Sequence, residues 1–345
     1  MTCFMSLQQY TRCAMFKKIQ KICICVIVLC SMTFVTGCKA KKKQVAYSVY
    51  PVGYLLDRIA GDTVNKVCLQ NNTIVQKATI VENYEEILKD SAAFFHIGGL
   101  EPYLSAYAAD IKATEVQSVD LSVMNSIYDF ARYTKKGNEF IESPYYDGDS
   151  FDSVDVNDQD LNLWLDPIAM LSMAKDITKW LISYYPENED LYTSNLDSLE
   201  TDLINLDAQF QNLSSKLAKS NSTIRFATMS ASFGNWQKTY GFEVYPVVMS
   251  KFGALPNETQ LQAIKDRLKA DNVQYLVYEP NMTEDMITLY DSILEELGMT
   301  RIQLSNLSSE TDQEEADGKD YLSIMYENLS VLSTLSSVSI SPEIQ

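Results

Sequence analysis

The sequence predicts an α/β protein of two parallel-sheet lobes joined by one long backbone helix, with a ligand cleft between the lobes. Three observations predict it. From Gln44 to Val119, short β-like runs alternate with helical ones. The same alternation returns from Thr223 to Leu335. Between the two stretches, Leu196, Leu199, Leu203, Leu206, Phe210, Leu213 and Leu217 recur every three or four residues. Strand–helix–strand order implies parallel strands covered by helices on both faces. The leucine seam corresponds to about 45 Å of helix. Its few heptads sit in the middle of a βα chain, which points to a helix packed on both lobes rather than to a coiled-coil partner.

The chain opens with a basic start (Lys17, Lys18, Lys21), an apolar run from Ile22 to Val35, and Val35-Thr36-Gly37-Cys38. The run is short for a membrane span of about 20 residues and right for a signal core. An apolar residue three before a cysteine, then two small residues, is the cleavage-and-lipidation signal of bacterial lipoproteins. Residues 1–37 are therefore expected to be a signal peptide, starting at Met1 or Met15. Cys38 is the expected lipidation site, and 38–43 a tether whose lysines face anionic headgroups. The expected address is the outer side of the cell membrane. Five of the seven cysteines lie in the signal, which leaves Cys68 as a lone, buried, inert thiol and no disulfide.

The signal also takes four of the 28 basic residues and none of the 46 acidic ones, so the net charge moves from −18 to −22. That sign argues against nucleic-acid binding, because phosphates demand the opposite. The 46% apolar content over about 300 residues suffices for two domains.

In the first lobe, 44–185, strands are expected over Val45–Val49, Val64–Leu69, Ala92–Ile97 and Glu115–Val119. Helices are expected over Tyr54–Ala60, Val81–Asp90, Tyr103–Ile111 and Pro167–Tyr185. Pro144, Gly148 and scattered Asp and Ser make 143–160 an acidic, solvated loop without the spacing of an EF-hand. Residues 186–219 form the linking helix. The second lobe, 220–345, has expected strands at Thr223–Met229, Glu243–Val248, Val273–Tyr278 and Arg301–Leu304. Its helices are expected over Phe233–Tyr240, Thr259–Ala270, Thr283–Leu297 and Asp320–Leu335. No internal sequence repeat is evident.

Ligands in open parallel sheets sit beyond the carboxyl ends of the strands. Those ends lead into His96-Ile97-Gly98-Gly99, Ser230-Ala231-Ser232, Glu279-Pro280 and Ser305-Asn306. The single histidine, His96, lies in no nucleophile motif, which argues against Ser–His–Asp or Cys–His catalysis and against an enzyme.

The ordered segments Tyr50-Pro51, Gly99-Leu100-Glu101-Pro102, Trp164-Leu165-Asp166-Pro167, Phe233-Gly234, Pro256-Asn257-Glu258-Thr259 and Tyr278-Glu279-Pro280 resemble one family. It is the zinc/manganese-type substrate-binding lipoproteins of bacterial ABC transporters, and the resemblance covers about Val45 to Ser336. It implies metal capture in the cleft, ABC permease and ATPase partners, and a monomer. The family holds its metal with three His, one of them Glu in some manganese members, and one Asp or Glu. The matching positions here are Gln76, Asn162, Ser230 and Ser305, so all four ligands are substituted. Glu279 and His96 are additional cleft candidates, Glu279 at a position the family keeps for structure. Neutral oxygens repay the desolvation of Zn²⁺ poorly, so a divalent Zn or Mn ligand is weakly supported and no resident cofactor is expected. Two alternatives stay open: a cleft reshaped for a non-metal or metal-complexed small molecule, and a surface adhesin.

Overall fold

A computed structural model describes residues 42–71 and 73–339; the signal peptide, Cys38 and the end of the chain lie outside the described residues. The first lobe is built on strands β1 (Gln44–Tyr47), β2 (Asn65–Cys68), β3 (Ser91–His96) and β4 (Gln117–Asp120), ordered β2-β1-β3-β4 and all parallel. Helices α1 (Tyr50–Ala60), α2 (Tyr84–Asp90) and the short α3 (Pro102–Ala106) and α4 (Ala108–Ala113) connect them. The expected Tyr103–Ile111 helix is thus two short pieces that meet at Tyr107. Five of the six residues of β3 are buried, as expected of a central strand covered on both faces.

A hairpin of β5 (Arg132–Lys136) and β6 (Glu139–Ser143) follows, turning at Gly137, whose φ of +66° suits glycine. Then come α5 (Pro167–Tyr184) and α6 (Glu189–Lys219). Pro167 pre-sets the first turn of α5, and the Asp166 carboxylate caps it by accepting from the Ile168 and Ala169 amides at 2.8 and 3.3 Å. Pro186 ends α5, and the linking helix begins three residues later than expected, after a 3-10 turn.

The second lobe carries β7 (Arg225–Ser230), β8 (Glu243–Val248), β9 (Tyr275–Tyr278) and β10 (Thr300–Gln303), ordered β10-β9-β7-β8 and parallel. Its helices are α7 (Gly234–Tyr240), α8 (Glu258–Ala270), α9 (Glu284–Leu297), α10 (Asp312–Ala316) and α11 (Tyr321–Ser339). Read from the first strand of each lobe, both sheets have the order 2-1-3-4. The same topology therefore occurs twice, although no sequence repeat announces it.

Helix α6 buries Leu199, Leu203, Leu206, Phe210, Leu213 and Leu217. This seam packs on α1 and α5 of the first lobe and on α7 and α11 of the second. One apolar cluster runs without a break from Val45 through α6 to Leu335. Trp164 reinforces it: its indole donates to the Asn306 carbonyl at 2.7 Å, and the Tyr321 hydroxyl donates to the Trp164 carbonyl at 2.6 Å. The Trp164-Leu165-Asp166-Pro167 segment is thus an interlobe fastening as well as a helix start.

The acidic loop departs from the solvated reading. Asp147, Asp149 and Asp152 are exposed, but Tyr145, Tyr146 and Asp160 are buried. Segment 128–160 lies on the second lobe. The Tyr146 hydroxyl donates to the Pro246 carbonyl at 2.8 Å, Arg132 donates to Tyr245 and Asp271 at 3.0 and 3.1 Å, and Asp155 pairs with Lys251 at 2.9 Å. Burial of Tyr145 and Tyr146 anchors the segment, while the exposed aspartates keep their hydration and do not oppose it.

Candidate functional site

In each sheet the topology reverses beside the first strand, and there the carboxyl ends of two strands diverge. In the first lobe these are β1 and β3. Ser48, just past β1, donates through its hydroxyl to the Glu101 carboxylate, which follows β3 and also accepts from the Ile97 amide at 3.3 Å. In the second lobe they are β7 and β9. Ser230, at the end of β7, donates through its hydroxyl to the Glu279 carboxylate, and its amide donates to the same group at 2.7 Å. Asn306 Nδ2 adds a third bond to Glu279 at 2.6 Å. Each lobe therefore holds a serine from its first strand against a buried glutamate after its third, and each glutamate precedes a proline (Pro102, Pro280). Burial pushes both carboxyls up, Glu101 to about 7.

The lobes meet around a small cavity of about 10 Å³. Val75, Gln76 and Leu100 line it from the first lobe, Asp160 and Asn162 from the segment before α5, and Ala231, Met249 and Lys251 from the second lobe. Gln76 sits on a 3-10 turn, Val75–Lys77. Asn162 is held from three sides: its side-chain nitrogen donates to Asp160 Oδ1 at 3.0 Å and to the Ala231 carbonyl at 3.2 Å, and its backbone carbonyl accepts from Asn235 Nδ2 at 3.1 Å. Asp160 Oδ1 also accepts the Asn162 backbone amide at 3.2 Å. Burial raises the Asp160 carboxyl to about 6, against the opposing hydrogen bonds from Asn162 and the Asn235 backbone amide. Gln76 Oε1 and Asn162 Oδ1 are buried and have no hydrogen-bond partner within the protein, while Asp160 Oδ2 stands against Gly234 at the start of α7.

Of the residues read from the sequence, Gln76 and Asn162 come together on this cavity. Ser230 does not line it; its hydroxyl is committed to Glu279 and lies 2.7 Å from Ser232 Oγ, while its neighbour Ala231 faces the cavity. Glu279 is fully buried behind Ser230 and saturated by donors, the arrangement of a structural carboxylate. Ser305 turns to a separate open hollow of about 560 Å³ lined by Glu314, Asp317 and Glu327, and its backbone is clasped by Asn328 through bonds of 2.9 Å on both sides. His96 stands away from the cavity at the end of β3, bonded to Ser118 Oγ at 2.6 Å and stacked near Phe94, and burial lowers its basicity. Cys68 is half-buried, with its sulfur 3.4 Å from the Ser48 carbonyl. From the sequence, Asp160 is only one of six aspartates (Asp147, Asp149, Asp152, Asp155, Asp158 and Asp160) of a solvated loop that could gather a cation weakly; its place two residues before Asn162 was the signal that sets it apart.

The donor set does not suit zinc. Zinc sites draw on imidazole and thiolate, with carboxylate in support. The cavity lining offers one carboxylate (Asp160), four side-chain amides (Gln76, Asn157, Gln159 and Asn162) and the Lys251 ammonium, and among the described residues no cluster of three or more His, Cys, Asp or Glu side chains could hold a metal.

Comparison with known proteins places this architecture. The family described as "Zinc-uptake complex component A periplasmic" matches residues 45–335. The zinc-binding lipoprotein AdcA of Streptococcus pneumoniae is 22% identical over 325 residues, covering 91% of this chain and 60% of AdcA. The high-affinity zinc uptake system protein ZnuA of Bacillus subtilis is 24% identical over 173 residues, covering 50% of this chain and 52% of ZnuA. The matches therefore span about half to three-fifths of these relatives' length. Among solved structures, the Zn(II)-bound ZnuA-like domain of S. pneumoniae AdcA superposes with a TM-score of 0.63 at 20% identity, covering 85% of this chain and 98% of that one. The laminin-binding protein Lmb of Streptococcus agalactiae, described as a bifunctional protein with adhesin and metal transporting activity, gives 0.66 at 20% identity over 85% and 99%. These likenesses carry the two-lobe fold, and the match over 45–335 carries the assignment: this chain belongs to the zinc-uptake complex component A family of periplasmic binding proteins.

Proposed function

We propose that this chain is the extracytoplasmic solute-binding component of an ABC transporter. In this reading it is tethered through a lipid on Cys38, captures a metal cation between its lobes and presents it to a membrane permease powered by an ATPase. Family membership supports the transport role, and Val35-Thr36-Gly37-Cys38 supports the tether. No helix among the described residues is long and apolar enough to cross a membrane, which fits attachment through a lipid. The acidic surface would raise the local cation concentration.

The observation that carries the reading is the cavity at the meeting of the lobes, lined from both sides and presenting acceptor oxygens. Such a site buries its cargo when the lobes are together and releases it when they part. Because α6 and one continuous apolar cluster join the lobes, the motion is small. The permease would then read the presence of cargo from a modest change in the lobe surfaces.

The test is deletion of the gene, with cellular metal content and cell attachment measured in parallel. Transport predicts a fall in the content of at least one divalent metal, restored by the intact gene. Unchanged metal content with reduced attachment to laminin would replace this reading with an adhesin.

A further inference from the structure

We infer that the amino-end face of the first sheet, with Trp180 and Tyr184 on its flank, rests in the headgroup layer of the bilayer that holds the lipid anchor. The inference rests on the proposed lipid tether at Cys38 and adds the surface of the folded lobe that meets the membrane.

Three observations carry it. The first is reach. Cys38 precedes Lys42 by four residues. An extended chain covers at most about 3.3–3.6 Å per residue, so Lys42 lies within about 14 Å of the acylated cysteine. Lys42 is itself fastened to the lobe. Its ammonium donates to the Lys89 and Ser91 carbonyls at 2.5 and 3.0 Å, and its own carbonyl accepts from the Tyr185 hydroxyl. The lobe therefore cannot stand far off the bilayer. The second is the face that the tether meets. Gln44, Asn65 and Ser91 pair in register at the starts of β1, β2 and β3, so Lys42 sits at the amino end of the sheet. Ser48 and Glu101 mark the opposite, carboxyl end, from which Leu100 reaches the interlobe cavity. The third is what the tether face presents. Helix α5 ends there, and Tyr185 meets Tyr184 and Trp180 edge to face, with ring centres 4.8 and 6.1 Å away. Trp180 and Tyr184 stack at 5.0 Å and 10°. Both are half-buried, and Trp180 Nε1 donates at 3.0 Å to Gln117 on the exposed start of edge strand β4. Rings with an apolar body and a polar tip are what the headgroup layer accommodates best.

Charge selects the same pose. The mature net charge of −22 sets most of this surface against an anionic bilayer. Beside the fastening, the exposed charges near the ends of α2 and α5 balance, Lys89 and Lys179 against Asp90 and Glu187. Lys39, Lys41 and Lys43 of the tether add positive charge at the same place. With this end of the sheet down, the interlobe cavity lies on the far side of the lobe, where cargo arrives from the medium.

The experiment uses the lipidated chain, extracted from membranes and reconstituted into vesicles containing phosphatidylglycerol, with acyl chains either plain or brominated close to the headgroup. Of the three tryptophans, Trp164 and Trp236 are fully buried and Trp180 is not, so quenching by brominated lipid reads Trp180. The expected result is loss of about a third of the total emission on brominated vesicles, and none in Trp180→Phe. On the Trp180→Phe background, Phe252→Trp places a reporter at an exposed position of the second lobe, and it should stay unquenched. Should these variants fail to fold, the unsubstituted protein still decides. Unquenched emission from a protein that floats with the vesicles would overturn the inference and leave the tether standing. Quenching that survives Trp180→Phe, or equal quenching at positions 180 and 252, would overturn it as well. A chain that neither incorporates labelled palmitate nor floats with the vesicles would overturn the tether and the inference together.

Discussion

Glu101 is 2% exposed and takes its hydrogen bonds from Ser48 Oγ and the Ile97 amide. Its folded carboxyl titrates near 7, because burial disfavours the charge, whereas an unfolded glutamate titrates near 4.3. Between those values the folded state binds more protons than the unfolded one. Stability therefore falls as pH rises from about 4.3 to about 7 and is level above, a loss of about 4 kcal/mol from this group. Glu101→Gln keeps the acceptor and removes the charge, so it should raise the unfolding midpoint at pH 7.5 and flatten the profile. Urea unfolding of both proteins at several pH values checks this. Any slope left in the variant between pH 4 and 6 belongs to the other carboxyls that burial raises, Asp160, Asp176, Asp207, Glu279 and Glu310. At the other end of the chain, Cys38→Ala should abolish incorporation of labelled palmitate and move the protein from the membrane fraction to the medium. Single residues were unevenly legible. Asn162 could be picked out by its place two residues before Trp164-Leu165-Asp166-Pro167, and Gln76 only by its order along the chain, since its segment keeps no motif. Asp160 could not, because nothing in an acidic run tells which carboxylate is folded inward; the packing of Tyr145 and Tyr146 decides that.

At the scale of elements, Asp166 combines two tasks. It caps α5, and its second oxygen accepts from Thr239 Oγ1 of α7 at 3.0 Å. Asp166→Ala should cost about 1–2 kcal/mol, the ordinary range for losing a cap. Urea denaturation with an unchanged slope is the measurement, and a loss below about 0.5 kcal/mol would show that water replaces the carboxylate. Helices with caps and prolines were readable within a few residues, because capping chemistry is local. The β5–β6 hairpin was not read. Its Gly137-Asn138 turn, flanked by Lys136 and Glu139 in register, is the signal that marks it. The hairpin is held by what lies elsewhere in the chain. The Lys238 ammonium sits 4.7, 5.2 and 5.7 Å from the ring centres of Tyr133, Phe140 and Tyr128. Such cation–ring contacts join residues a hundred positions apart and leave no trace in local sequence.

For the whole molecule, the unbroken apolar cluster through α6 makes the two lobes one cooperative unit. Calorimetry should show a single unfolding transition. Leu206→Ala, at a fully buried position of the seam, should lower stability by about 2–5 kcal/mol and keep the transition single. Two resolved transitions would show that each lobe is stable alone. The repeated strand order, with a serine after the first strand and a Glu-Pro after the third, belongs to this scale as well. Two matched positions per lobe are too few to detect by eye in sequence. They become visible when the sheets place them at equivalent points.

By itself the sequence determined the alternation of strands and helices, the spanning helix and, with a single histidine in the chain, the scarcity of imidazole. Periodicity, caps and residue chemistry are local properties, readable along one segment at a time. Tertiary structure decided which of the candidate positions share a cavity. It brought Gln76 and Asn162 together with Asp160, sent Ser305 to another face, and committed Ser230 to Glu279. The reason is physical: a binding site is a set of distances between segments far apart in the chain. Those distances are set by how two sheets and one long helix bury their apolar faces together.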